Sequence, residues 1–211
     1  MKNSKVMRDI HYGMYVVSTK ENQNVGCIIN TFCQITSGDT PIITISLNKE
    51  NYTNQVIQKI KKFAVSILSE KINPNVISTF GFSSSKEVDK FSTVEYKDID
   101  NMPVLFEHTT GYVICEVEDI VDCGTHDIFI ARVIDGDKVH DEKPMSYSYY
   151  HEVVKGKAPK NAPTYVEEKK ESIEGVETYK CSVCGYVVEG PLPDDFICPI
   201  CGRGKEEFRR I

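Results

Sequence analysis

The 211-residue sequence contains no tryptophan, and its apolar runs are short. The stretch from Met14 to Val17 is typical, far below the roughly 20 residues that cross a bilayer as a helix, so no membrane span is expected. Met1–Lys5 leads into no apolar segment of the secretory kind, and the chain is expected to work in the cytoplasm. Cationic charge is not in excess. With 25 Lys and Arg against 31 Asp and Glu, the net charge is −6, which argues against nucleic acid or an anionic membrane as partner. No Gly-x-Gly-x-x-Gly pattern occurs, so any nicotinamide cofactor is not held by a Rossmann unit. What remains, 40% hydrophobic and 27% charged, is the composition of a folded globular chain.

Charge and cysteine are unevenly distributed. Residues 155–178 and 179–211 each carry five residues of either sign, leaving the whole net charge on 1–154. Four of the eight cysteines (Cys181, Cys184, Cys198 and Cys201) lie in the last 31 residues, while Cys27, Cys33, Cys115 and Cys123 are scattered. In a reducing compartment clustered thiols more often bind metal than form disulfides. The scattered four are expected as small buried hydrophobes.

Residues 1–154 pattern mostly as strands. Met14–Ser18, Val25–Thr31, Phe63–Leu68, Val113–Val121 and Ile128–Ile134 are β-branched or aromatic runs bounded by polar residues or glycine. In Pro41–Leu47, Ile43, Ile45 and Leu47 alternate with Thr44 and Ser46. Turns are expected at 37–39 and at Asp135-Gly136-Asp137. Two helices are predicted, Tyr52–Lys62 with Asn51 as cap and Asn73–Phe80 with Pro74 in its first turn. Many strands and few helices predict a barrel or sandwich. After Tyr150 the composition changes: 155–163 is punctuated by proline and 166–178 is mainly Glu and Lys. We read 155–178 as an arm and linker, with a mean span of roughly 25–30 Å as a flexible coil and a taut limit near ~80 Å.

The tail holds two Cys-x-x-Cys pairs separated by thirteen residues. Each pair forms a tight knuckle presenting two sulfurs, and two knuckles make a tetrahedral four-sulfur cage for zinc or iron. Gly185 and Gly202 follow each pair, where the chain must turn toward the sulfurs. Residues 179–211 fall below the roughly 40 at which a domain usually needs a staple, and bound metal supplies one. This pattern, with Tyr186, Phe196, Cys-Pro-x-Cys-Gly, Lys205 and Phe208, resembles rubredoxin in the short form appended to rubrerythrins, with Phe196 where rubredoxins usually carry tryptophan. The resemblance implies a single iron held by Cys181, Cys184, Cys198 and Cys201.

The first domain carries Gly26-Cys-Ile-Ile-Asn-Thr-Phe-Cys-Gln-Ile-Thr36, Pro41 through Lys49, Thr53 ahead of a helix, Phe63–Leu68, Asp89-Lys-Phe91 and Thr125-His-Asp-Ile-Phe129. In that order these segments resemble the flavin reductase family of split-barrel FMN-binding proteins over residues 8–155. The resemblance implies a mostly β fold: an FMN-binding split β-barrel with a few helices, plus the small rubredoxin-like metal-knuckle domain. It implies that Asn30, Thr31, Phe32 and Cys33 lie against the flavin ring. It places Leu47, Asn48, Lys49 and Thr53 near the ribityl chain and phosphate, Lys90 at the phosphate, and His126 beside the ring as the catalytic position. Without the resemblance, Asn30 and Thr31 simply end a strand, Thr53 caps a helix and Lys90 is a solvated lysine.

The two domains in this order resemble the high-molecular-weight rubredoxins of anaerobic bacteria. That resemblance implies electron flow from NAD(P)H through FMN to iron and on to a flavodiiron-type oxygen or nitric oxide reductase, in a homodimer. A nicotinamide gives two electrons together, iron accepts one at a time, and a flavin does both. Two other readings stay open at this level: a flavin reductase that releases reduced FMN and has a structural zinc tail, and a non-catalytic redox or flavin-sensing module.

Overall fold

A computed structural model describes residue 6 and residues 9–154, 177–183, 186–198 and 202–211. Its centre is a seven-stranded sheet in which each strand runs antiparallel to its neighbours. The strands are β1 Tyr15–Lys20, β2 Asn24–Ile29, β3 Phe32–Gln34, β4 Ile42–Asn48, β5 Lys62–Leu68, β8 Thr109–Asp122 and β9 His126–Lys138, in the order β2-β1-β5-β8-β9-β4-β3. Between β5 and β8 in sequence, β6 Tyr96–Ile99 and β7 Met102–Leu105 form a separate hairpin. The helices are α1 Tyr52–Ile60, α2 Pro74–Phe82 and α3 Tyr147–Glu152. The expected mostly β fold with few helices is what the chain adopts, in the form of a half-barrel.

The sheet curls because its long central pair is irregular. The β8–β9 register shifts between Ile114 and Cys115 and again between Val117 and Asp119. Such bulges bend the strand and increase its twist. Curling brings Cys27 and Ile29 near one edge into the same core as Ile43, Ile45 and Leu47 near the other, around Phe63 and Phe129. Ile57 of α1 enters this core at 0% exposure. Each of these large side chains contributes about 1.5–3 kcal/mol on burial.

Both faces of β1, β2 and β5 are covered, so these strands read as continuous apolar runs, while β4 and β9 alternate. In β1, Val17 faces the barrel core while Val16 packs outward with Phe80, Leu68 and Tyr150. Ala64 and Ile114 meet Met102 and Val104 of the β6–β7 hairpin. The hairpin turns at Asp100 and Asn101, both left-handed with φ of 49° and 64°, a conformation that Asn and Asp tolerate.

The helix caps agree with the sequence. Asn51 Oδ1 accepts the Thr53 N–H at 3.0 Å and Pro74 opens α2. Helix α1 stops at Ile60, two residues short of the predicted end, because Lys61 takes a left-handed φ of 59° and Lys62 starts pairing with Glu116. Helix α2 runs two residues further than predicted, to Phe82. The expected turn at Asp135-Gly136-Asp137 is a correction: these residues lie inside β9, with Gly136 opposite Val113. A Cβ on Gly136 would stand 2.8 Å from the Tyr112 carbonyl oxygen, so glycine here answers a close backbone approach and not a reversal. Of the scattered cysteines, Cys27 and Cys115 are buried as expected, while Cys33 and Cys123 are exposed.

The C-terminal domain has its own sheet of β10 Thr178–Cys181, β11 Val187–Glu189 and β12 Phe208–Arg210, with β10 in the middle. The Ile211 amide closes it onto the Thr178 carbonyl at 2.9 Å. Most of the sequence-assigned linker, together with Cys184 and Cys201, lies outside the described residues.

Replacing Gly136 with alanine is expected to destabilise the protein by about 1–3 kcal/mol, since the neighbouring backbone must shift to admit the methyl group. Chemical denaturation should show a lowered midpoint with an unchanged slope.

Candidate cofactor cleft and thiol knuckle

A cleft with a cavity of about 90 Å³, opening to solvent on one side, lies beside the barrel core. Its floor comes from strands near opposite margins of the sheet, which the curl brings together: Cys27, Ile28 and Ile29 of β2 and Ser46, Leu47 and Asn48 of β4. Asn30 and Asn51 add amides at the strand ends. Helix α2 closes one side with Ile77, Phe80 and Phe82, and Tyr147 and Tyr150 of α3 complete the wall. His126 joins through pairing, since it stands opposite Asn48 in the β4–β9 ladder.

The cleft mixes apolar and aromatic walls with neutral amide and hydroxyl groups, the donor set that suits a planar heteroaromatic ring with a polar edge. Cys27 contributes only bulk, because burial pushes its thiol pKa up despite the nearby Lys90 charge. Burial lowers the His126 pKa, opposed in part by Asp127, and its Nδ1 lies 2.9 Å from Thr125 Oγ1. The imidazole is therefore held in its neutral form to lower pH than in water.

Four of the ten flavin-site residues predicted from the sequence, Asn30, Leu47, Asn48 and His126, line the cleft. The other six do not. Thr31 Oγ1 donates to Asn30 Oδ1 at 3.0 Å. Phe32 stacks edge-on against Tyr15 with ring centroids 5.2 Å apart. Cys33 is exposed on β3, its sulfur 3.5 Å from the Gln34 carbonyl oxygen. Thr53 is buried at the start of α1. Lys49 pairs with Asp122 at 2.5 Å and reaches Asp127 at 3.7 Å. Lys90 is neither solvated nor turned to the cleft. It is 2% exposed, and its Nζ donates to the carbonyls of Gly26 at 2.9 Å and Phe80 at 3.2 Å.

Sequence reasoning missed a polar network beneath the cleft. Asp127, 4% exposed, accepts from Asn54 Nδ2 and Gln58 Nε2 of α1, both at 3.0 Å. Asn54 also donates to the Leu47 carbonyl at 3.1 Å. The signal was present, since Asn54 and Gln58 lie four residues apart on the helix, but polar side chains at that spacing ordinarily face water. The aromatic contributions from Phe82 and α3 were missed as well.

In the C-terminal domain Cys181 and Cys198 are each 1% exposed, packed with Leu192 and Phe208. Around them the backbone folds tightly: the Cys198 N–H donates to the Arg203 carbonyl at 2.7 Å and the Gly202 N–H to the Cys198 carbonyl at 2.9 Å. Gly202 adopts a left-handed φ of 66°, the conformation its position after the cysteine pair requires. Two thiols buried in one apolar shell fit a thiolate-bound metal. Among the described residues no three His, Cys, Asp or Glu side chains converge on a point, and Cys184 and Cys201 lie outside them.

With this geometry in view, the chain belongs to the flavin reductase-like domain family, whose model matches residues 7–157. A second model, the rubredoxin-like domain of rubrerythrins, matches residues 179–209. Over 99% of its length the chain is 37% identical to the whole of the high molecular weight rubredoxin of Moorella thermoacetica. It is 35% identical to the ferric-chelate reductase (NAD(P)H) of Archaeoglobus fulgidus, an alignment covering 76% of this chain and 95% of that one. Among solved structures, the NADH:FAD oxidoreductase SgcE6 of Streptomyces globisporus superposes with a TM-score of 0.62 over 67% of this chain and 84% of that one, at 24% identity, a likeness of fold. The chain is thus an oxidoreductase pairing a flavin reductase-like domain with a rubredoxin-like one, a combination that fits electron transfer. Among the described residues no helix is long and apolar enough to cross a membrane.

Lys90 gives a pH-dependent test of its placement. Burial lowers its pKa from 10.5 to about 8, so the unfolded chain binds more protons than the folded one between those values. Stability contributed by this residue must therefore rise with pH across that window, and is lost as pH falls through it to about 8. Relative to Lys90→Met, the unaltered protein is expected to gain on the order of 2–3 kcal/mol between about pH 8 and 10.5 in urea unfolding.

Proposed function

We propose that the chain passes electrons from NAD(P)H through FMN to a single iron held by Cys181, Cys184, Cys198 and Cys201. From there they leave for a separate redox protein, a flavodiiron-type terminal reductase in the reading the domain order favours. The observation that carries this proposal is the near full-length match to a protein with both domains, together with a cleft whose walls suit a flavin ring. The working unit is taken as residues 1–154 for the flavin, 155–178 as connection and 179–211 for the metal, assembled as a homodimer.

In this reading Asn30 and Asn48 hydrogen-bond the ring edge, while Leu47, Phe80 and Tyr150 exclude water from its faces. Asn51 and the start of α1 meet the phosphate end, with Thr31, Phe32, Cys33, Lys49, Thr53 and Lys90 shaping the walls from behind. A bound flavin supplies conversion between two-electron and one-electron transfer. His126, kept neutral by burial, orients the nicotinamide without repelling its positively charged product. Each NADH oxidised to NAD⁺ delivers two electrons and leaves one proton, so two ferric centres are reduced per nicotinamide, one electron each. The ferric-chelate reductase relative supports a nicotinamide as donor.

Purified protein is expected to show flavin and ferric-thiolate absorption together, and anaerobic NADH or NADPH should bleach both. Cys198→Ser should abolish the iron bands and leave the flavin bands in place. A colourless tail carrying one zinc would instead support a flavin reductase that releases reduced FMN. Failure of both nicotinamides to bleach either chromophore would sink the reductase assignment.

A further inference from the structure

Helix α2 has two working faces. Val76, Ile77 and Phe80 point into the outer core beneath it. Asn75 and Phe82 are seven residues apart, two turns and about 10 Å along the axis, and so share a different stripe. Both meet the C-terminal domain. Phe82 packs against the cluster built from Cys181, Leu192, Cys198 and Phe208. The Asn75 Oδ1 atom lies 3.7 Å from where a Cβ on Gly202 would stand, directly after the second cysteine pair. Phe82 also lines the cleft. One aromatic side chain therefore touches both the cleft and the cysteine knuckle.

We infer that this stripe of α2 is the docking surface for the C-terminal domain of the same chain, and that electrons cross between the two centres while the tail is seated there. The inference rests on the function proposed above and specifies where its internal transfer takes place. Among the described residues the contacts that identify it are an aromatic ring and an amide, and domains joined in this way are expected to move relative to one another. Release belongs to this scheme, because Phe82 covers part of the shell around Cys181 and Cys198 that an outside acceptor also approaches. Each crossing carries one electron to one ferric centre. Two crossings balance the hydride given up by one nicotinamide, with one proton released.

The test uses full-length protein carrying both chromophores, with Asn75→Trp as the principal variant. Asn75 is exposed and does not line the cleft, so the indole obstructs the seated tail without altering the flavin's walls. In anaerobic stopped flow, flavin reduction by NADH should keep its rate while bleaching of the iron bands slows about tenfold or more, following the loss of the docked population. Phe82→Leu, with flavin content verified, should also slow the iron phase. Independently of turnover, amide hydrogen exchange should rise in residues 74–82 and 202–208 of Asn75→Trp. Unchanged iron bleaching, or unchanged exchange in both segments, overturns the docking surface. Should nicotinamide fail to reduce the unaltered protein, the proposed function falls, while the exchange measurement still decides where the tail sits.

Discussion

The buried Asp127 carboxylate is the interaction on which the cleft's geometry depends. A charge taken out of water is costly unless it is paired and hydrogen-bonded. Asp127 obtains two amide donors from α1 and the Lys49 ammonium from the end of β4. It sits on β9 opposite Leu47, so the same residue ties together two strands and a helix. Moving any of the three leaves an uncompensated buried charge. That constraint fixes the start of α1 beside Asn48 and keeps the neighbouring His126 at the cleft's rim.

Around this anchor the chain solves two packing problems. Where the sheet is buried on both faces it needs apolar residues of either parity, which β1 and β5 supply. A sheet that must curl needs irregular register, which the bulges in β8 provide. Gly136 belongs to the same solution, since close backbone approach on the β8–β9 ribbon leaves no room for a Cβ. The small tail follows different rules. Its apolar shell around Cys181 and Cys198 is too slight to hold a fold unaided, and in the proposed reading thiolate–metal bonds take the place of a larger core.

Much of the fold was legible because apolar runs and caps are local signals. Asn51, Pro74 and the β-branched stretches each declare their element within a few residues, and the paired Cys-x-x-Cys motifs declare their domain. The β6–β7 hairpin was missed because its turn, Asp100-Asn101, lacks glycine and its first strand is largely exposed. The turn assigned at Gly136 failed because glycine marks either a reversal or a close approach, and only the partner strand distinguishes them. The cleft was half legible. Asn30, Leu47, Asn48 and His126 emerged from sequence resemblance, but Phe82, Tyr147 and Tyr150 come from segments far apart in the chain. Lys90 shows the limit most clearly: a lysine after an aspartate looks solvated, yet long-range folding brings its ammonium onto two backbone carbonyls.

That placement of Lys90 also seals the sheet's margin. On β2, the outward carbonyl of Gly26 accepts from Lys90 and from Ser85, and the Gly26 amide donates to the same serine. The opposite margin, β3, is only three residues long. A short edge strand and an occupied edge position are both devices that discourage pairing with another strand. The two margins of this sheet thus carry different brakes on strand addition, a plugged backbone position on one and a truncated strand on the other.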